Sequence, residues 1–102
     1  KIIKMSWKSR QIKVQNAVVH KKMNITYNYI GELDEIKSMS SSCGCSIPKQ
    51  VGNNIVVTFN PGPVPIHLHS VGQYVASGRI FINYVNGNKD TLSFTAVVKN
   101  KR

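Results

Sequence analysis

The side chains of this sequence with the clearest potential for chemistry form two short pairs, Cys43 with Cys45 and His67 with His69. One residue separates the members of each pair, so on a β-strand both would point to the same face. Two thiolates and two imidazoles can bind zinc tetrahedrally. Zinc ligands usually have two to four residues between cysteines and three to five between histidines. This spacing therefore argues against a metal site.

The stretch SSCGCSIP, residues 41–48, contains both cysteines of the chain and has three interpretations. The cysteines could join the histidines in the zinc set Cys43, Cys45, His67 and His69, or form a reversible disulfide with each other. They could also pack inward as small free thiols at a bend that Gly44 allows. A bridge across one residue is geometrically demanding, because the Cα separation and Cβ directions of a disulfide are tightly constrained. We therefore expect plain packing.

The sequence does not indicate a catalytic centre. The three histidines are possible general bases, but the acids Glu32, Asp34 and Glu35 lie together in one turn, far from them in sequence. The sequence has neither a nucleophile elbow nor a phosphate-binding glycine loop. We expect no enzyme activity, no catalytic residue and no cofactor.

The hydrophobic pattern is that of β-strands throughout. In KKMNITYNYIG, residues 21–31, apolar and polar residues alternate with a period of two. SGRIFINYV and TLSFTAVV flank NGNKD and predict a hairpin, because Asn86-Gly87 suits a tight reversal. We expect GELDEIKSM to form a turn leading into a strand, the proline-rich NPGPVPIHLHSVG to be a loop, and IIKMSWK to be a weak first strand.

Many short strands in 102 residues predict one all-β domain, an Ig-like antiparallel β-sandwich of about seven strands. We divide the chain into a basic N-terminal strand or arm of this domain, residues 1–22, and the sandwich, residues 23–102. No apolar run is long enough to predict a membrane span.

The net charge of +10, from 14 basic and 4 acidic residues, is concentrated at the two ends of the chain. Such a charge favours an acidic partner, whether nucleic acid, anionic lipid or an acidic protein surface. The alternative is a solubilising surface with no specific partner. The residues we expect to contact a partner are Lys4, Trp7, Lys8, Arg10, Lys13, Lys21, Lys22, Lys99, Lys101 and Arg102.

Trp7 stands among basic residues, and this position has three interpretations. The indole could stack on a nucleic-acid base while neighbouring lysines bind phosphates. It could anchor a protein interface, where Trp is over-represented. It could also pack into the core as part of the first strand.

From about Val19 to Val98, the sequence resembles an uncharacterised Ig-like family abundant in Bacteroidetes. The matching segments are YNYIGELDEI, SSCGCSIP, IVVTFNP, SGRIFINYV and LSFTAVV, and the specific part is the motif SCGC(S/T)xP. The resemblance implies a seven-stranded sandwich related in architecture to Hydin-type and major-sperm-protein-like domains, which are interaction and scaffolding modules. Members of that family commonly carry a lipoprotein-type leader, and this sequence shows none.

These features predict a non-enzymatic structural module that docks on a larger assembly through its basic terminal segments and sheet edges. Our specific expectation is an auxiliary or decoration protein that stabilises the capsid of a tailed phage with a Bacteroides-type host. Its partners would be capsid subunits or another acidic protein surface, and its location a virion assembled in the host cytoplasm. One alternative is a periplasmic or cell-surface scaffold or adhesion domain whose leader was removed, and another is a nucleic-acid-binding protein.

Overall fold

The protein, as a computed structural model, is described here for residues 6–100. Its strands are β1 (Ser6–Trp7), β2 (Gln11–Val18), β3 (Met23–Ile30), β4 (Ile36–Ser41), β5 (Ser46–Val51), β6 (Asn54–Phe59), β7 (Gln73–Tyr84) and β8 (Lys89–Lys99). A 3-10 turn, Ile66–Leu68, follows β6. Most of the strand predicted from IIKMSWK lies outside the described residues. No helix in residues 6–100 is long and apolar enough to cross a membrane.

The strands form two four-stranded sheets, in the orders β1-β3-β6-β5 and β2-β8-β7-β4. This arrangement confirms the predicted Ig-like sandwich. Pairing is antiparallel except between β2 and β8, which run parallel with Gln11 opposite Ser93 and Val18 opposite Lys99. The basic N-terminal segment is therefore part of the sandwich from Ser6 onward, and it contributes one strand to each sheet.

The period of two places one side of each long strand in the core. On β7, Ile80 and Ile82 are fully buried, while Arg79 and Phe81 point to solvent. Burial of such aliphatic side chains stabilises the fold by about 1.5–3 kcal/mol each. The largest fully buried side chains are Tyr27, Ile55, Val57, Phe59, Ile80, Ile82, Leu92, Phe94 and Val98.

An aromatic contact joins the two sheets at the centre of the core. The rings of Phe59, on β6, and Phe94, on β8, have centroids 5.0 Å apart. Phe94 also lies against Gly78 of the neighbouring strand, where an added Cβ would stand only 2.6 Å from the Phe94 ring. The glycine is therefore required by packing, because any side chain there would displace the phenyl ring.

The connections between strands match the turn chemistry of the sequence. The β7–β8 hairpin is present as predicted, and Gly87 adopts the positive φ of 93° that the reversal needs. The segment 31–35 contains no regular element and leads into β4, as predicted. The proline-rich segment after β6 is a loop, held down where the Tyr74 hydroxyl donates a hydrogen bond to the Gly62 carbonyl over 2.8 Å.

Candidate binding face

The two cysteines lie in the connection between β4 and β5, and they are bonded to each other in a disulfide with Cα atoms 5.2 Å apart. The expectation of free, inward-packed thiols was therefore wrong. The bend expected at Gly44 is present, because β4 ends at Ser41 and β5 begins at Ser46. The error concerns the sulfur atoms, because Cys43 and Cys45 on either side of Gly44 are bonded to each other and are not free.

Hydrogen bonds fix this disulfide bend to both sheets. The Ser41 hydroxyl donates to the Cys43 carbonyl over 2.8 Å and lies 2.6 Å from the hydroxyl of Ser46, which is buried. Two hydrogen bonds join Ser42 to Arg79 on β7. The Arg79 amide donates to the Ser42 hydroxyl, and the Ser42 amide donates to the Arg79 carbonyl. The bend is thus a corner that links the sheets and positions the backbone of Arg79.

The zinc set is not assembled in the structure. Cys43 and Cys45 form a disulfide and so provide no thiolate for a metal. His69 uses its Nε2 in a 3.0 Å hydrogen bond with the Val64 carbonyl. Across the described part of the chain, no three His, Cys, Asp or Glu residues lie close enough to share a metal ion.

Trp7 belongs to a partly buried polar cluster around Asp90, which we call the Asp90 cluster: Trp7, Arg10, Tyr84 and Asp90. One carboxylate oxygen accepts hydrogen bonds from the Trp7 indole, at 3.1 Å, and the Tyr84 hydroxyl, at 2.7 Å. The other oxygen pairs with the Arg10 guanidinium at 2.6 Å. The carboxylate therefore joins the N-terminal segment to the last hairpin.

The structure contradicts the expectation that Trp7 is a surface residue. Its side chain is only 5% exposed and packs edge-on against Tyr29, with ring centroids 4.9 Å apart. The pairing of β1 with β3 sets Trp7 opposite Tyr29 with its indole in the core, where Asp90 satisfies its N–H. Trp7 is thus unavailable for stacking on a base or anchoring a partner, and core packing is the correct interpretation.

The electrostatics of the Asp90 cluster favour an ionised carboxylate. Burial alone raises the pKa of Asp90, but hydrogen bonds from Arg10, Tyr84 and Trp7, with the Arg10 charge, lower it below its ordinary value. Burial, followed by the hydrogen bond and the charge of Asp90, raises the pKa of Tyr84. Arg10 is therefore neutralised within the fold, although its side chain is half exposed.

The other predicted contact residues are distributed over several places. Lys4, Lys101 and Arg102 lie outside the described residues. Lys8 adjoins the first sheet, through a 2.8 Å hydrogen bond from its amide to the Asn28 carbonyl. Lys21 and Lys22 are exposed in the β2–β3 turn, Lys99 is exposed at the end of β8, and Lys13 is exposed on β2.

The parallel pairing of β2 with β8 brings Lys99 close to the β2–β3 turn. Val18 lies opposite Lys99, and the Val19 amide donates a 3.0 Å hydrogen bond to the Lys99 carbonyl. Lys99 therefore adjoins the turn that carries Lys21 and Lys22. The strand order thus places Lys21 and Lys22 of the first basic segment near Lys99 of the second, at one end of the sandwich.

The strands of the two sheets differ strongly in charge. The strands of the β2-β8-β7-β4 sheet carry five basic residues, Lys13, Lys37, Arg79, Lys89 and Lys99, and one acid, Asp90, which is paired with Arg10. The described strands of the other sheet carry only Lys49. We call the outer surface of the β2-β8-β7-β4 sheet the basic face.

A groove of about 530 Å³ crosses the centre of the basic face. Strand register explains its shape, since Lys13, Thr95 and Ser77 form one row across three strands and Arg79 lies beside Ser93 in the next. Small hydroxyl side chains form the floor and longer side chains the walls. The lining includes six residues with outward-facing side chains, Lys13, Ser77, Arg79, Phe81, Ser93 and Thr95.

The two cations of the groove, Lys13 and Arg79, have no acidic partner among residues 6–100. Asp90 is engaged by Arg10 in the one ion pair of the described residues. The other three acids lie between β3 and β4, away from the groove lining. The groove therefore presents positive charge that the fold leaves available.

The sequence prediction missed Arg79, Phe81 and the hydroxyl residues of the groove. Arg79 lies in residues 23–98, where four basic residues balance four acids, so the concentration of charge at the chain ends gives no indication of it. The alternation of β7 does predict that Arg79 and Phe81 point outward. Their proximity to Lys13 depends on the β2-β8-β7 strand order, which the pattern of a single strand does not contain.

No family model matches the chain, and no curated protein matches it. Among solved structures, the chain is similar to the SrpA adhesin of Streptococcus sanguinis, crystallised as the R347E mutant, with a TM-score of 0.51 and 13% sequence identity. The similarity covers 95% of this chain, which spans 57% of the adhesin chain. At this identity the likeness establishes a shared β-sandwich fold.

Proposed function

We propose that the protein is a non-enzymatic binding module of the adhesion or scaffold kind, and that its basic face binds an acidic partner. The observation that carries this proposal is the groove, where Lys13 and Arg79 lie without an acidic residue in the lining. Unpaired cations on a folded surface attract acidic ligands and increase the rate of encounter. The likeness to an adhesin supports the choice of a binding module.

The disulfide bears on where such a module would work. Disulfides persist in oxidising compartments such as the periplasm or the cell surface, and are rare in the cytoplasm. The bond between Cys43 and Cys45 therefore favours an exported protein over a virion protein assembled in the host cytoplasm. The capsid role and the nucleic-acid role remain predictions from the sequence, since no comparison reported above supports them.

The test is binding of the full chain to immobilised poly-L-glutamate, with neutral dextran as the blank. We expect Lys13→Gln combined with Arg79→Gln to weaken binding about tenfold or more, because each removed cation forfeits a charge-assisted contact. Binding should also weaken with added salt, which screens exposed charges.

The matched control is Lys8→Gln combined with Lys49→Gln, which removes the same charge from the side of the other sheet. We expect this variant to bind within about twofold of the parent, since its cations lie away from the groove. Equal losses for the two double variants would show that net charge alone drives binding. That result, or an absence of binding to poly-L-glutamate, would overturn the proposal.

A further inference from the structure

The groove has the size of a small-ligand site, at about 530 Å³ within the usual range of roughly 300–1,000 Å³. Its floor is made of the short hydroxyl side chains of Ser77, Ser93 and Thr95, which leave a hollow between longer neighbours. Lys13 stands on one side, and Arg79 and Phe81 stand on the other. The hollow therefore combines hydroxyl groups, two cations and one exposed aromatic ring, that of Phe81.

The backbone N–H and C=O groups of the groove floor are already used in hydrogen bonds within the fold. β7 and β8 are inner strands, each paired on both sides, and the Arg79 amide is bonded to the Ser42 hydroxyl over 2.9 Å. An extended peptide adds to a sheet through free backbone groups at an edge. The floor lies on the face of the sheet, so a ligand there must be recognised by side chains.

Each class of side chain in the groove matches a different part of one ligand. Serine and threonine hydroxyls both donate and accept hydrogen bonds, as a polyhydroxylated ligand requires. The Arg79 guanidinium offers a planar fork suited to a carboxylate, and Lys13 adds a second positive charge. Phe81, 38% exposed, offers an apolar surface for the C–H groups of a sugar ring.

We propose that the groove binds an acidic saccharide, with Arg79 on the carboxylate and the Ser77, Ser93 and Thr95 hydroxyls on the ring hydroxyls. This inference rests on the proposed function and specifies the ligand of the same face. A single-stranded nucleic acid is less well matched, because it is usually held by several aromatic platforms and the groove lining contains one exposed aromatic side chain, Phe81.

The disulfide bend fixes the backbone of Arg79 in the position that this role requires. Its backbone amide and carbonyl both bond to Ser42, which directly precedes Cys43. A side chain on a fixed backbone loses less freedom when it binds, which strengthens recognition.

The experiment is calorimetric titration of the full chain with three probes. These are a tetrasaccharide of alternating glucuronate and N-acetylglucosamine, its uncharged methyl ester, and a hexaglutamate peptide. We expect the acidic tetrasaccharide to bind at least about tenfold tighter than the ester, because the ester cannot accept the charge-assisted bonds of Arg79. It should also bind tighter than hexaglutamate, because the peptide lacks ring hydroxyls.

Two variants identify the groups involved. Arg79→Lys keeps the charge and removes the fork, and we expect it to weaken tetrasaccharide binding about fivefold or more while changing hexaglutamate binding less. Thr95→Val removes one floor hydroxyl at similar size and should weaken only the saccharide. Circular dichroism of both variants checks that they fold.

The outcomes separate this inference from the proposed function. If hexaglutamate binds at the basic face as tightly as the tetrasaccharide, the groove recognises acidic peptide and the saccharide inference is wrong, while the proposed function survives. If neither probe binds, both are wrong. If the ester binds as tightly as the acid, the carboxylate role of Arg79 is excluded.

Discussion

Arg10 and Arg79 carry the same guanidinium group in two contrasting regions of the molecule. Arg10 lies in the Asp90 cluster, where a 2.6 Å ion pair neutralises it and ties the N-terminal segment to the last hairpin. Arg79 lies in the groove, where no acid of the described chain opposes it. Positive charge in one region holds the fold together, and in the other it is available to a partner.

The contrast predicts that the two regions respond differently to mutation. Loss of a partner in the Asp90 cluster leaves buried donors unsatisfied, which costs folding free energy. Loss of a groove cation relieves an unpaired charge and should leave the fold intact. Mutations in the Asp90 cluster should therefore lower stability, and mutations of the groove cations should lower binding with little change in stability.

The largest expected effect is that of Asp90→Ala. The substitution removes the hydrogen-bond acceptor of the Trp7 indole and the Tyr84 hydroxyl, and the ion-pair partner of Arg10. We therefore expect the free energy of unfolding to fall by about 2–4 kcal/mol. Urea denaturation measures the change. Asp34→Ala is the control, because the structure gives Asp34 one 3.2 Å bond, to Asn86, and it should cost less than about 0.5 kcal/mol. Equal losses of stability in Asp90→Ala and Asp34→Ala would show that the Asp90 cluster has no special structural role.

Removal of the disulfide is expected to have a smaller effect on stability than Asp90→Ala, and also to weaken binding. We expect Cys43→Ser combined with Cys45→Ser to lower the free energy of unfolding by roughly 1–2 kcal/mol, because the bridge closes only a short loop. Poly-L-glutamate binding should weaken less than in Arg79→Gln, through the looser Ser42 contact. Reduction of the parent protein with dithiothreitol should reproduce both changes. A double variant as stable as the parent would show that the bond is dispensable.

Acid pH should weaken the Asp90 cluster. The folded-state pKa of Asp90 lies below its ordinary value, so its contribution is complete above about pH 4 and is lost as the pH falls through the folded pKa. The stability difference between the parent and Asp90→Ala should therefore shrink below about pH 4. Chemical denaturation from neutral to acid pH measures it, and a difference that grows in acid would contradict the assignment.

The smallest expected effect on stability is that of Arg79→Gln. Because the side chain is exposed and has no acidic partner, the free energy of unfolding should change by less than about 0.5 kcal/mol. Urea denaturation beside the binding assay would show the separation of the two properties. A loss above about 1 kcal/mol would place Arg79 with the structural residues.

The sequence predicted the fold well because the fold depends on local patterns. The alternation in β3 and β7 identified buried and exposed positions, and Asn86-Gly87 identified the final hairpin. Hydrophobic periodicity and turn chemistry act over a few residues, so they can be interpreted without knowing which strands become neighbours.

The groove could not be predicted in the same way, because it depends on strand order. Lys13 and Arg79 are far apart in sequence and line the same groove only because β8 lies between their strands, through one parallel and one antiparallel pairing. Trp7 was misjudged for a related reason. Its partner Asp90 lies 83 residues away, so its basic neighbours in sequence suggested exposure.

The central claim is tested most directly by mapping where an acidic probe contacts the protein. Backbone amide shifts of the isotope-labelled full chain, followed by NMR during titration with the acidic tetrasaccharide or hexaglutamate, report every position at once. We predict the largest shifts at Lys13, Ser77, Arg79 and Thr95, with little change around Lys8 and Lys49. Shifts spread evenly over all exposed lysines, or concentrated on the β1-β3-β6-β5 sheet, would contradict the account.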